Sequence, residues 1–202
     1  MKGVKRVLTT VLCLLALMAW STQPAQAKGK PDRGEIARRV LTSSDPVAAA
    51  NALQGAERTA FQEALDKDLT VVPAESYTSA MTAEQAAAAG VSNARLTAGG
   101  CWYNYQASYI TGWGITIGRI WMQLNWCGNG SRVTSYNANP YGCMGQYGFS
   151  CTADPVSFRD VGWEVRALGL YRFTIAWGSS TKCAQIRGGA SGLYSTRMDC
   201  VL

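Results

Sequence analysis

The sequence predicts an α+β protein, in which a small N-terminal helical segment precedes an all-β, disulfide-stabilised sandwich or small barrel. Composition changes sharply at Gly99-Gly100: residues 28–98 are alanine-rich and hold no Cys or Trp, whereas residues 99–202 hold six of the seven cysteines and six of the seven tryptophans. The second part also alternates apolar and polar residues, which is typical of strands. We therefore divide the chain into a leader (1–27), an Ala-rich helical region (28–98) and a disulfide-rich β-domain (99–202).

The first 27 residues have the three parts of a secretory signal peptide. Lys2, Lys5 and Arg6 precede a largely apolar run over 7–20, and Ala25-Gln26-Ala27 matches an A-x-A cleavage site. The apolar run is shorter than the about 20 residues that a membrane-spanning helix needs. We expect cleavage after Ala27, an extracellular location and no insertion in a membrane.

Charge limits the kinds of partner. The chain has 19 Lys and Arg against 13 Asp and Glu, and the leader removes three of the cations, which leaves a net charge of +3. Nucleic-acid binding usually demands a clustered basic surface, so no nucleic acid is expected. Residues 99–202 hold seven arginines and only four acidic residues. This half suits an acidic protein surface or an anionic polymer of the cell surface.

Helical signals recur in residues 28–98. Asp45 caps a helix that has Pro46 at its first position, and Thr82 with Gln85 forms a capping box. Pro73 ends the longest apolar pattern, and no element is predicted between it and Thr82. Because alanine offers little apolar area, these helices should dock on the β-domain or serve as a partner-binding arm. The predicted helices cover 35–41, 46–53, 56–69 and 82–90.

The longest alternating segment is 161–177, where apolar or small residues occupy the odd positions. The pattern predicts one half-buried strand, or a hairpin that turns at 167–169. Either form places Trp163 and Trp177 on its apolar face, within the core.

A second strand is predicted over 115–126, with a bulge near Gly118 where the alternation slips. Asn129-Gly130 is a strong hairpin signal after it. In all, six to eight short strands in about 100 residues favour a sandwich or small barrel.

The predicted turns indicate how six cysteines, which allow 15 pairings, are joined. A turn at 112–114 places the first two cysteines opposite each other, a turn at 191–192 does so for the last two, and the middle two close a loop over Tyr147. A zinc site is disfavoured because the chain has no C-x-x-C pair and no histidine. No metal or cofactor is therefore expected. The predicted disulfides are Cys101–Cys127, Cys143–Cys151 and Cys183–Cys200.

The absence of histidine excludes a Ser-His-Asp or Cys-His catalytic site. A glycosidase needs two carboxylates at a defined separation, and Asp160 with Glu164 is the only near pair in the β-domain. Glu164 alternates with Arg166 on a polar strand face, which favours a solvated ion pair over catalysis. We expect no catalytic residue and no enzyme activity, and a hydrolase using this pair ranks third among the functions considered.

Aromatic side chains are the better candidates for a site. Most should be core, but those in turn-rich sequence could contact a partner at small entropic cost, since a disulfide fixes the loop. The partner-binding candidates are Trp113, Tyr141, Tyr147 and Phe149. If the ligand is a sugar instead, Trp113 and Tyr141 would stack on its rings.

Several short motifs carry a resemblance to known proteins. They are Cys101-Trp102-Tyr103, Trp121 and Trp126-Cys127-Gly128, preceded by Asp45-Pro46, Ala52-Leu53, Glu57-Arg58 and Phe61. In these motifs the chain resembles a group of small exported actinobacterial proteins of uncharacterised function, and its domain plan is similar to connector subunits of the umbrella toxin particles of Streptomyces. The resemblance implies an Ala-rich helical part and a Cys/Trp-rich β-domain, and it implies no catalytic residues.

These observations together predict a secreted, non-enzymatic adaptor that binds another secreted protein. It would act within an extracellular antibacterial toxin assembly or inhibit an extracellular enzyme. The alternative is a module that binds cell-wall glycan or another carbohydrate.

Overall fold

The computed structural model describes residues 30–91, 99–192, 194–197 and 200–202. The predicted leader and its cleavage site lie outside the described residues. Asp32 to Leu202 form one compact unit. Its described helices are α1 (Arg33–Leu41), α2 (Pro46–Ala52), α3 (Gly55–Lys67) and α4 (Ala83–Ala88).

Side-chain caps explain where three of these helices begin. The Asp32 carboxylate accepts a hydrogen bond from the backbone of Glu35, and Asp45 accepts one from Ala48 in the same way. At α4 both hydrogen bonds of the predicted Thr82–Gln85 capping box are present. The four predicted helices are therefore confirmed, with ends that differ by a few residues.

The described strands form two antiparallel sheets. Sheet A has the order β1-β2-β3-β4; sheet B has the order β5-β7-β8-β9, and β6 also pairs with β7. The strands are β1 (Thr70–Met81), β2 (Gly100–Gly112), β3 (Ile115–Gly128), β4 (Val133–Gly145), β5 (Ser150–Ala153), β6 (Ser157–Asp160), β7 (Glu164–Ile175), β8 (Gly178–Gly189) and β9 (Tyr194–Arg197).

Strand β1 was not predicted. It is an edge strand, exposed along most of its length, so its sequence lacks the alternation that burial of one face imposes. Pro73 lies beside a bulge at Ala74, where an edge strand tolerates a missing N–H. The region 28–98 thus contributes a strand to sheet A as well as helices.

The β2–β3 and β3–β4 connections follow the predicted turns. Strands β2 and β3 join at Trp113-Gly114, and the ladder skips Ile117, next to the predicted bulge at Gly118. After β3 the Asn129 side chain accepts hydrogen bonds from two backbone N–H groups, and Gly130 adopts φ 89°. The predicted bulge near Gly118 and the predicted turn at Asn129-Gly130 are both confirmed.

The segment 161–177 contains one strand, β7, and no hairpin at 167–169. The prediction was wrong for Trp163. Trp177 lies outside the strand, although it does pack against the core as predicted. Trp163 precedes the strand and is 60% exposed. Trp177 follows it, where its indole N–H donates to the carbonyl of Ala50 at 3.1 Å and Arg58 lies 4.2 Å from its ring centroid. The apolar face of β7 therefore ends at Ile175.

The two sheets pack through their inner faces, in a sandwich-like arrangement. Met122, Leu124 and Trp126 of sheet A share a buried cluster with Val165 and Ile186 of sheet B. Each sheet is an open ladder among the described residues, so the barrel alternative is not formed.

A second cluster joins the helices to both sheets. It includes Val40 of α1 and Phe61 and Leu65 of α3, packed with Ile120 of β3 and Phe173 of β7. The helices therefore obtain most of their stability by burying apolar area on the strands, at roughly 25 cal/mol per Å².

All three predicted disulfides are present. Cys101 and Cys127 are direct partners in the β2–β3 ladder, Cys143–Cys151 closes the β4–β5 connection, and Cys200 is tied to β8 through Cys183. Three disulfides are typical of an oxidising, extracellular environment.

Candidate functional site

The predicted loop aromatics divide into two exposed and two packed residues. Tyr141 and Tyr147 are 38% and 52% exposed. Phe149 is buried, and Trp113 is half-buried against the core with its indole beside Gly34 of α1. Neither Trp113 nor Phe149 presents an exposed ring, because helices cover the end of the sheets where both lie.

A surface rich in aromatic side chains lies on the outer face of sheet A, the side turned away from sheet B. In-register pairs place Tyr77 beside Tyr105, Tyr109 beside Arg119, and Arg119 beside Met144. Paired residues of neighbouring strands point to the same face of a sheet. We call this surface the tyrosine face; it comprises Tyr77, Tyr105, Tyr109, Arg119, Trp121 and Met144.

Contacts within the tyrosine face hold its side chains in place. The rings of Tyr77 and Tyr105 are stacked, with centroids 5.2 Å apart, and Tyr103 packs edge-on against Tyr77 at 6.1 Å. Arg119 Nη2 lies 3.1 Å from Glu75 Oε1. Burial raises the pKa of the Tyr105 hydroxyl above the ordinary tyrosine value. Like any tyrosine at neutral pH, this group is protonated and can donate a hydrogen bond.

Trp121 lies against the backbone of its neighbour in β4, Gly142. A Cβ added at Gly142 would lie 2.7 Å from Trp121 Cζ2, so only glycine gives the indole this space. From the opposite side the Tyr171 hydroxyl donates to the Trp121 carbonyl at 3.0 Å, and burial raises the pKa of Tyr171. Both the ring and the backbone of Trp121 are therefore fixed.

One end of the outer face of sheet A is covered by α4. Ala86 and Val91 pack on the Cys101–Cys127 disulfide, and the side-chain amide of Asn137 donates to the carbonyl of Ala89. The tyrosine face is the part that α4 leaves open.

The two predicted carboxylates have structural partners. The predicted ion pair forms, with Glu164 Oε1 2.6 Å from Arg166 Nε. It was wrongly predicted to be solvated, because Glu164 is buried and both residues lie on the same strand, β7. Asp160 is exposed, and its Oδ1 accepts a hydrogen bond from the backbone of Gly162 at 2.7 Å. Across the described ranges, no group of three or more His, Cys, Asp or Glu side chains is placed to hold a metal ion.

Sequence reasoning missed the tyrosine face, although one signal for it was visible. Tyr103, Tyr105 and Tyr109 all stand at odd positions of β2, which places them on one side of the strand. Tyr77 carried no such signal, because its strand was not predicted.

Comparison of the chain with protein-family models, curated proteins and solved structures finds no significant match. None of the helices in the described part of the chain is long and apolar enough to span a membrane.

Proposed function

We propose that this chain is a secreted, non-enzymatic protein that binds another secreted protein through the tyrosine face. The observation that carries the proposal is that exposed Tyr77, Tyr109 and Met144 lie with half-buried Tyr105 and Arg119 on one open sheet surface. Tyr, Trp, Arg and Met are enriched in the cores of protein interfaces, and Tyr, Trp and Arg dominate their binding energy.

Preorganisation supports the same function. The stacked Tyr77–Tyr105 pair, the Arg119–Glu75 ion pair and the indole held on Gly142 are already ordered without a partner. Few side chains then have to be immobilised on binding, so the loss of side-chain entropy that otherwise reduces the affinity is small.

The proposed partner is itself extracellular, because the three disulfides suit an oxidising compartment. An adaptor in an extracellular antibacterial toxin assembly, or an inhibitor of an extracellular enzyme, is the kind of protein that such a surface serves. In both roles a rigid domain binds its partner through one face and catalyses no reaction.

The test compares partner recovery between matched variants. The secreted protein and its Tyr77→Ala/Tyr109→Ala variant are crosslinked in the native culture supernatant, and the attached proteins are quantified by mass spectrometry. Removal of two anchor residues should reduce recovery of the true partner by at least tenfold, since such residues contribute about 2 kcal/mol or more each.

Tyr194→Ala is the control, because Tyr194 is exposed to a similar extent but lies on β9 of sheet B. This variant should recover the partner as the wild type does, and far-ultraviolet circular dichroism should show all three proteins folded. Equal recovery by the wild type and the double variant contradicts the proposal.

A further inference from the structure

The outer face of sheet B carries a row of arginines. Arg159 of β6 pairs in register with Arg166 of β7, and Arg166 pairs with Arg187 of β8. Neighbouring strands lie about 4.8 Å apart, so three guanidinium groups begin from backbone positions that span only about 10 Å. We call these three residues the arginine row.

Such a row is unfavourable in itself, because like charges directly opposite on neighbouring strands repel. Glu164 compensates only part of the charge, through its ion pair with Arg166. Within the described residues neither Arg159 nor Arg187 has a carboxylate side chain as partner: Arg187 Nε donates to the Gln185 side chain at 2.5 Å, and Arg159 Nη1 donates to the Leu202 carbonyl at 3.0 Å. An anionic ligand would relieve the repulsion that remains.

Hydrogen bonds within sheet B orient the guanidinium groups of Arg166 and Arg187. Arg166 and Arg187 each use Nε to bond a side chain two residues earlier on the same strand. The two Nη groups of Arg187 donate to no described residue. A guanidinium presented in this way matches the two oxygens of a carboxylate.

An exposed tryptophan lies beside the row. Trp163, Glu164, Arg187 and Ser195 are among the residues that line a shallow cleft of about 170 Å³. Trp163 is the most exposed tryptophan among the described residues. A flat aromatic ring, a carboxylate that can accept hydrogen bonds from hydroxyl groups, and a guanidinium whose Nη groups donate to no described residue together fit a sugar ring that bears an acidic group.

We infer that the arginine row and the cleft at Trp163 form a binding site for a carboxylate-bearing polysaccharide. The guanidinium groups of Arg159 and Arg187 bind the carboxylates of successive sugar units, and Trp163 packs against a sugar ring. This site is independent of the tyrosine face, because the outer faces of the two packed sheets point away from each other.

The experiment measures binding of the whole secreted protein to three probes by isothermal titration calorimetry at low and high salt. Polygalacturonate supplies carboxylates on sugar rings, poly-L-glutamate supplies carboxylates without sugar, and dextran supplies sugar without charge. The wild type should bind polygalacturonate most tightly, and added salt should weaken this binding because the charges are exposed.

Two variants and one control test the residues. Arg159→Gln/Arg187→Gln should weaken binding of polygalacturonate by roughly tenfold or more, as the loss of charge-assisted hydrogen bonds requires. Trp163→Ala should weaken binding of polygalacturonate and leave binding of poly-L-glutamate unchanged. Arg38→Gln, which removes one charge from the exposed side of helix α1, should bind as the wild type does.

Several outcomes overturn the inference. It fails if the wild type does not bind polygalacturonate, or if the double arginine variant binds it as tightly as the wild type. It also fails if poly-L-glutamate binds as tightly as polygalacturonate and the Trp163→Ala variant binds both probes with wild-type affinity. The site would then recognise carboxylates without a sugar, as an acidic protein supplies them. The Tyr77→Ala/Tyr109→Ala variant should keep full polysaccharide binding, so this result is separable from that on the tyrosine face.

Discussion

Replacing the two cysteines of each disulfide by alanines, one pair at a time, should destabilise the protein in a defined order. A disulfide restricts the unfolded chain, and the loss on removing it grows with the length of the loop that it closes. The sequence separations are 26 for Cys101–Cys127, 17 for Cys183–Cys200 and 8 for Cys143–Cys151. The corresponding losses are about 3.5, 3.1 and 2.5 kcal/mol.

Burial should increase the difference in stability loss between removal of Cys101–Cys127 and removal of either of the other two disulfides. Cys101 and Cys127 are both buried beneath α4, in a cluster with Ala86 and Val91. Alanines at these positions also remove apolar contacts, so the loss for this pair should exceed the loop-entropy value.

Urea unfolding, followed by circular dichroism and extrapolated linearly to water, gives the free energy of unfolding and its denaturant dependence for each variant. The control is the wild type, in which a thiol assay under denaturing conditions should detect no free cysteine. A Cys143→Ala/Cys151→Ala variant that loses as much stability as Cys101→Ala/Cys127→Ala would refute the reasoning from loop length and burial.

Three further predictions concern single residues. Gly188→Ala should cost about 1–3 kcal/mol by urea unfolding, since the added Cβ would lie 2.5 Å from Trp126 Cδ2; an unchanged stability would show that the indole can move freely. Backbone hydrogen bonds from the first turn of α1 lower the pKa of Asp32 below 3.8, so its contribution to stability is present above pH 3.8 and lost as the pH falls through the depressed value. The stability difference between wild type and Asp32→Asn should therefore shrink below pH 3.8 in urea titrations, and a constant difference would contradict this. Trp177→Phe should lose about 1–2 kcal/mol, because it removes a hydrogen bond to α2 and weakens the contact with Arg58, and an unaffected melting temperature would count against that packing.

The disulfide pairing could be predicted because it depends on local geometry. Once the turn at 112–114 is recognised, the antiparallel register places Cys101 opposite Cys127. The helix starts at Asp45 and Thr82 were predictable for the same reason, since a cap involves only residues a few positions apart.

Features that depend on distant contacts were missed. Strand β1 exists because β2 pairs with it, and nothing in its own exposed sequence distinguishes it from a loop. The alternation over 161–177 continued past both ends of β7, because the positions of Trp163 and Trp177 are set by a loop and by α2, respectively. The tyrosine face combines side chains from four strands, including β1, and so required the complete sheet order.

The cover that α4 places over the Cys101–Cys127 bond also controls chemical access to it. A reductant must meet a sulfur atom directly, and Cys127 has no solvent-accessible surface until the short helix lifts away. Under a mild reductant the Cys183–Cys200 bond, in which Cys200 is exposed, and the half-buried Cys143–Cys151 bond should therefore open first, while the β2–β3 link survives for as long as α4 stays closed. The rate at which that last bond is lost thus reports how often α4 detaches from the sheet.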